Sequence, residues 1–265
     1  MGKGVDIFKL YANFYDDYYS FKDYEREVAF VLFLAKQYVN KNLKTILDIG
    51  CGTGGHLISF AKAGLEAVGF DLSETMVKQA VEKIERLKSE APKTMAFVPS
   101  VKVGDARSCR NGAKYDLVVS MFAVMGYLTS NEDFLAGLKT ARVHLNKNGL
   151  FIFDVWFGPT VLKEGPETRI QEFNKDGIRT IRIVIPELDP ISQIVSVHYN
   201  ILKIDGEKVI AEVDEIHEMR FFFIQELKFF LENAGFEMVK VCPFMDADRE
   251  PRQGDWNISV VAKAK

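Results

Sequence analysis

Between Lys44 and Val155 short β-branched runs alternate with amphipathic stretches, and a glycine-rich turn follows the first of those runs. After Pro159 the pattern changes to long runs of alternating polar and apolar residues. These observations predict an α/β protein: a doubly wound, Rossmann-like sheet of seven strands, mostly parallel with the last strand antiparallel, carrying an antiparallel β insertion after strand five. Composition agrees, because 48% hydrophobic and 27% charged residues over 265 positions are the balance of a globular chain, not a disordered one.

Each element has its own signal. From Tyr24 the apolar residues Val28, Val31, Leu32, Leu34, Ala35 and Tyr38 recur at helical spacing, and residues 1–43 are expected to form an aromatic-rich, helical N-terminal lid. Strands are expected at 45–49, 66–70, 96–103, 115–122 and 149–155, with helices at 57–63, 75–87 and 132–145. The insertion spans 159–220, where Asp176-Gly177, Asp189-Pro190 and Asp205-Gly206 read as turns joining three or four antiparallel strands. A helix at 224–233 stopped by Gly235, then strands at 236–241 and 257–262, complete a core made of 44–158 and 221–265.

Charge and composition narrow the function. Lys and Arg number 34 against 37 acidic residues, a net charge of −3 with no basic block, so no nucleic acid is expected as a partner. The longest apolar run, Val28 to Ala35, is far shorter than the roughly 18 residues a membrane span needs. No membrane partner is expected, and the cytoplasm is the expected location. Cys51, Cys109 and Cys242 show no C-x-x-C spacing and the histidines are scattered, so neither a disulfide framework nor a metal site is indicated. A small molecule is the expected partner, with a homodimer left open.

The strongest chemical signal is Ile46-Leu-Asp-Ile-Gly-Cys-Gly-Thr-Gly-Gly-His-Leu57. A buried strand running into Gly50, Gly52, Gly54 and Gly55 turns tightly, with no Cβ to hold a ligand away from the backbone. Gly50, Gly52 and Gly55 also fit the dinucleotide fingerprint G-x-G-x-x-G, with Asp71 about 20 residues on to bind a ribose diol. Two cofactor classes therefore compete. Asp48 separates them, because it puts an acid inside the first strand where a dinucleotide site has apolar residues. A buried carboxylate without a partner costs several kcal/mol, so Asp48 is expected to face one.

With Asp48 included, the chain resembles a class I S-adenosylmethionine-dependent methyltransferase, whose first motif is Asp or Glu, x, Gly, x, Gly, x, Gly. The resemblance implies that Gly50, Cys51, Gly52 and Gly54 approach the methionine and ribose parts of the cofactor. It implies that Asp71, with Leu72 beside it, holds the ribose hydroxyls, and that Asp105 and Ala106 face the adenine. Met121 would border the methionine end and Met76 would lie beside the cofactor, with Cys51 a small filler and His56 structural.

Shorter agreements are similar to the sugar-amine N,N-dimethyltransferase and glycine N-methyltransferase-like branch. They are Tyr15-Asp16, Lys22-Asp-Tyr24 with Arg26-Glu27, Met121-Phe122, Gly126-Tyr-Leu128, Trp156-Phe157, Val197-His-Tyr199, and Glu215 with His217. Departures are a smaller gap between Tyr15 and Tyr24 and a differently composed final loop. The Pro-Pro motif of nucleic-acid and glutamine methyltransferases is replaced by Ser120-Met-Phe-Ala123. The resemblance implies that Tyr15 and Tyr24 close over the cofactor, that Tyr127 orients an acceptor amine, and that Trp156 and part of the 159–220 insertion line the acceptor site. Arg249 and Arg252 have the forked geometry that suits an acceptor's pyrophosphate. His198, His217 and Glu215 are expected to be strand residues with ordinary partners. Two alternatives stand beside a methyltransferase acting on a small-molecule amine or hydroxyl. One is a module that binds the cofactor without turnover; the other is a nicotinamide-dependent oxidoreductase, for which Asp48 would be accidental.

Overall fold

The computed structural model describes residues 22–39, 42–91, 94–175 and 177–265. Helix α1, Tyr24–Tyr38, starts where the Asp23 carboxylate accepts the Arg26 N–H at 2.9 Å. Its buried residues Val28, Val31, Leu34 and Ala35 fall on one stripe, which packs on the sheet residues Ile46, Leu117 and Val119.

The core follows as β1 Thr45–Ile49, α2 Gly55–Lys62, β2 Glu66–Asp71, α3 Glu74–Glu90, β3 Ser100–Val103, β4 Tyr115–Ser120, a 3₁₀ turn Val124–Tyr127, α4 Asn131–Val143 and β5 Leu145–Phe157. Strands β3-β2-β1-β4-β5 are parallel neighbours in that order. After α5 Gly158–Glu164 come the long strands β6 Arg169–Lys175, β7 Ile178–Asp189, β8 Ile194–Asp205 and β9 Lys208–Phe222. Helix α6 Ile224–Asn233 leads to β10 Phe236–Pro243 and β11 Asn257–Ala264, with β11 antiparallel between β5 and β10.

Both faces of the parallel strands are covered, which is why β1 and β4 read as near-continuous apolar runs. Leu47, Ile49 and Val118 pack under α4 and α6 on one side, while Ile46, Leu117 and Val119 meet α1 and α2 on the other. β3 is shorter than expected, with Phe97 and Val98 exposed before it, as befits a strand whose only partner among the described residues is β2.

The insertion is joined to the core through a single strand. β5 pairs with β4 only as far as Phe153, opposite Ser120, and its last residues Trp156 and Phe157 pair in parallel with Phe221 and Phe222 of β9. Because Trp156 also pairs with Asn257 of β11, β9 must lie on the side that β4 vacates after Ser120. The described residues thus form one connected sheet of 11 strands, and the expected division between residues 220 and 221 falls inside β9. This places β9 directly above the carboxyl end of β4, where open α/β sheets bind ligands. Among the described residues no helix is long and apolar enough to cross a membrane.

Candidate active site

The turn after β1 is held by backbone. The N–H groups of Gly50 and Cys51 both donate to the Phe70 carbonyl, at 2.8 and 3.1 Å, tying the turn to the end of β2. Gly50 has φ +76°, and a Cβ there would lie 2.4 Å from Val124 Cγ1. Gly52 has φ +53°, and its Cβ direction meets nothing within 4 Å because it opens on the cavity. Asp71 is clamped from two sides: Oδ2 accepts the Gly52 N–H at 2.8 Å and Oδ1 the Ser73 N–H at 2.9 Å. Its carboxylate is therefore oriented before any ligand arrives. Asp48, beneath the turn, is 1% exposed, and neither of its oxygens has a hydrogen-bond partner. Burial, and after it the charge of Asp71, pushes its pKa up to about 8. Among the described residues, none supplies the partner expected for Asp48.

A cavity of about 470 Å³ opens where this turn, the ends of β2 to β5 and strand β9 converge. Of the expected cofactor residues, Tyr24, Gly50, Cys51, Gly52, Asp71 and Leu72 line it, as do Met76, Asp105, Ala106 and Met121. Gly54 and Asp48 do not: Gly54 faces α3, where its Cβ would stand 3.2 Å from that of Ala80, and Asp48 lies buried beneath the turn. Tyr15 lies outside the described residues. The Asp105 carboxylate, expected at the adenine, is gripped by Arg107 through Nε and Nη2 at 3.0 and 2.6 Å, and this hydrogen-bonded guanidinium holds its pKa below the usual range. Arg107 also reaches Asp133 at 3.1 Å and lines the cavity, a role the sequence did not suggest.

Gly55 serves a different purpose from the one the dinucleotide fingerprint assigns it. A Cβ there would lie 2.5 Å from Cζ of Tyr24, whose ring also stands edge-on to His56 at 4.9 Å. His56 Nε2 meets Glu27 Oε2 at 2.7 Å, and Lys22 Nζ meets the same oxygen at 3.0 Å. Lys22 in turn sits 3.7 Å from the centroid of the Phe122 ring. The start of α1 is thereby fastened to the start of α2 and to the loop after β4.

That loop is strained and deliberately held. Phe122 and Ala123 have φ of 71° and 56°, a conformation that costs about 1–3 kcal/mol per non-glycine residue. Asp154 of β5 compensates: its two oxygens accept the N–H groups of Phe122 at 2.6 Å and Ala123 at 2.9 Å. Burial raises the Asp154 pKa to about 6, against the opposing pull of Lys22 and these two N–H donors.

The loop delivers Tyr127 to the far end of the cavity. Its hydroxyl lies 2.9 Å from Nδ1 of His217, whose Nε2 lies 3.2 Å from Oε2 of Glu215. Tyr199 places its ring 4.8 Å from that of His217, and Trp156 closes the wall with Met219 and Asn257. His217 and Glu215 were expected to be ordinary strand residues. The usable signal was the alternation of β9, which puts 215, 217 and 219 on one face.

Arg249 and Arg252 are not brought to the cavity lining. Arg249 is spent inside its own loop, with Nη1 and Nη2 each 2.7 Å from an oxygen of Asp255 and Nε 2.7 Å from Asp246. The backbone N–H of Arg252 donates to Asp255 as well, at 2.8 Å, closing the turn before β11, while the Arg252 side chain is exposed. Among the described residues no cluster of His, Cys, Asp or Glu is arranged to hold a metal.

The donor set fits S-adenosylmethionine: an open backbone approach at Gly52, a pre-oriented diol acceptor at Asp71, and an orphaned buried acid at Asp48. Residues 46–149 match a family described as methyltransferase domain. Over 227 residues the chain is 26% identical to dTDP-3-amino-3,4,6-trideoxy-alpha-D-glucopyranose N,N-dimethyltransferase of Streptomyces venezuelae, covering 85% of this chain and 89% of that one. A solved S-adenosylmethionine-dependent methyltransferase from Clostridium acetobutylicum superposes with a TM-score of 0.77 at 20% identity, covering 96% of this chain and 97% of that one. The sugar N-methyltransferase KedS8 from Streptoalloteichus has a TM-score of 0.79 at 18% identity, covering 100% and 96%. At these identities the structural likeness shows a shared fold.

Proposed function

We propose that this chain, whose residues 46–149 match a methyltransferase domain, is a class I S-adenosylmethionine-dependent methyltransferase that methylates the amine of a nucleotide-linked sugar or a similar polar metabolite. The observation that carries this reading is the Tyr127–His217 pair at 2.9 Å on the cavity wall, an oxygen and a base where an N–H group must be oriented and relieved of a proton. The relative from Streptomyces venezuelae, named for an amino-sugar substrate, supports the same class.

Bound in this site, the cofactor supplies a methyl group already activated by a sulfonium. The chain's own residues then have to bind, align and exclude water. The backbone at Gly50 and Gly52 admits the cofactor, Asp71 takes its ribose hydroxyls, and Asp105, Ala106, Leu72 and Met76 surround the base. Met121 and Tyr24 border the reacting end. Tyr127 orients the acceptor amine and Trp156 lines its pocket, with the 159–220 insertion as the outer wall. Most of the acceleration comes from this alignment, whose ceiling is roughly 7–11 kcal/mol.

The test has two arms. Calorimetric titration with S-adenosylmethionine is expected to show micromolar binding, weakened about tenfold or more in Asp71→Ala, which loses a charged hydrogen-bond acceptor. Incubation with dTDP-3-amino-3,4,6-trideoxy-glucose and the cofactor is expected to give successive methyl additions on nitrogen, read by mass spectrometry. Methylation of hydroxyl acceptors but of no amino sugar would retire the amine reading while leaving the family assignment in place.

A further inference from the structure

We propose that His217 and Glu215 are positioning residues that commit the Tyr127 hydroxyl proton away from the cavity and make its oxygen the proton acceptor for the incoming amine. This deepens the amine reading above and rests on it.

The argument begins with register. β9 alternates, so Glu215, His217 and Met219 share one face, and β8 sets Tyr199 opposite Glu215 and Val197 opposite His217. His217 is 1% exposed, and its two ring nitrogens have different neighbours. Nε2 is 3.2 Å from a carboxylate oxygen of Glu215, which accepts hydrogen bonds and cannot donate when ionised. Nε2 therefore carries the hydrogen, and Nδ1 turns its lone pair to the Tyr127 hydroxyl at 2.9 Å. Tyr127 consequently donates to His217 and presents oxygen lone-pair density to the cavity that it lines.

Among the described residues, the groups facing His217 include Tyr127 from the 3₁₀ turn, Tyr199 from β8 and Glu215 from its own strand. Arg182 of β7 stands 4.9 Å from the Tyr199 ring. A protonated amine at Tyr127 can pass a proton to the Tyr127 oxygen while the hydroxyl's own proton moves to Nδ1. The N–H and Tyr127 O–H bonds break, a new O–H bond and an Nδ1–H bond form, and the nitrogen keeps its electron pair. Ammonium plus neutral imidazole becomes amine plus imidazolium, with the Glu215 carboxylate holding the new charge. The arrangement follows the logic of a carboxylate that fixes a histidine tautomer behind a hydroxyl.

The first test needs neither cofactor nor acceptor. Nitrogen NMR of the full chain labelled at histidine is compared with His217→Gln to identify the His217 signals among those of the four histidines. An unprotonated Nδ1 and a protonated Nε2 are expected, with the Nδ1 signal moving in Tyr127→Phe and tautomers mixing in Glu215→Gln. A protonated Nδ1 in the wild type, or no response to Tyr127→Phe, overturns the proposal.

The second test is a pH profile with the amino-sugar acceptor. His217→Gln is expected to lower kcat about 100-fold near neutral pH with little change in acceptor KM. That deficit should shrink as pH rises and solvent deprotonates the amine. A deficit of the same size at every pH would mark His217 as merely structural and overturn the proposal. Because the NMR arm is independent of any acceptor, failure of the relay and failure of the amine reading give different patterns.

Discussion

The two ends of the cavity are built by different means. At the proposed cofactor end the determinants are backbone conformation and short sequence spans: Gly50 and Gly52 in the left-handed region, and the Asp71 carboxylate clamped by the N–H groups of Gly52 and Ser73. At the acceptor end they are side chains, and the key hydrogen bond joins Tyr127 to His217 across 90 residues of sequence. The first design constrains where the chain can go, while the second constrains which proton moves. Substitutions should therefore separate, with cofactor affinity failing at one end and pH-dependent turnover at the other.

The largest effect expected is at Gly50. Its φ of +76° and the 2.4 Å approach of Val124 Cγ1 leave no room for a methyl group, so Gly50→Ala should cost about 2–4 kcal/mol in combined backbone strain and overpacking. Thermal unfolding should show a fall of several degrees, and cofactor titration a loss of about tenfold or more. Wild-type cofactor affinity in this variant would break the backbone account of that end.

Asp48→Asn sharpens the comparison through pH. The folded-state pKa of Asp48, about 8, lies above its ordinary value of 3.8, so the folded chain holds this proton more tightly than the unfolded one. Wild-type stability is full at low pH and declines as pH rises from about 4 to about 8. The Asn variant lacks that decline, so its advantage in the cofactor-free protein should open above about pH 4 and level off above about pH 8. Cofactor affinity should fall at the same time, since the acid sits beneath the glycine turn. Denaturation at several pH values checks the first outcome and calorimetry the second; parallel stability curves for the two proteins would show that Asp48 titrates normally.

The smallest effect is expected at Arg249. Its guanidinium is already paired with Asp255 and Asp246. Arg249→Ala should thus leave cofactor Kd and acceptor KM within about twofold of wild type, as for other exposed ion pairs. A large rise in acceptor KM would return this loop to the acceptor site.

Much of the glycine-turn end of the cavity was legible in the chain because each part is local. A strand, a run of glycines, and an acid at the close of the next strand lie close in sequence, and the parallel sheet sets their strand ends side by side. Asp48 was singled out as unusual, but among the described residues it has no hydrogen-bond partner, leaving an orphaned carboxylate beneath the turn. Gly55 matched a fingerprint for a reason sequence could not supply: the Tyr24 ring lies against it. Tyr127 was nominated by a short motif, yet nothing in that motif points to the residues that orient it.

Periodicity and glycine placement by themselves determined the α/β core, the antiparallel strands after strand five and the position of the glycine turn, because these follow from local conformational preference and the burial of alternating faces. Tertiary structure alone decided that β9 occupies the edge of β5 released by β4, and so brings Glu215 and His217 to Tyr127. Pairing between distant segments depends on which strand edge is left open and which opposite charge is nearer, and those quantities exist only once the chain has folded.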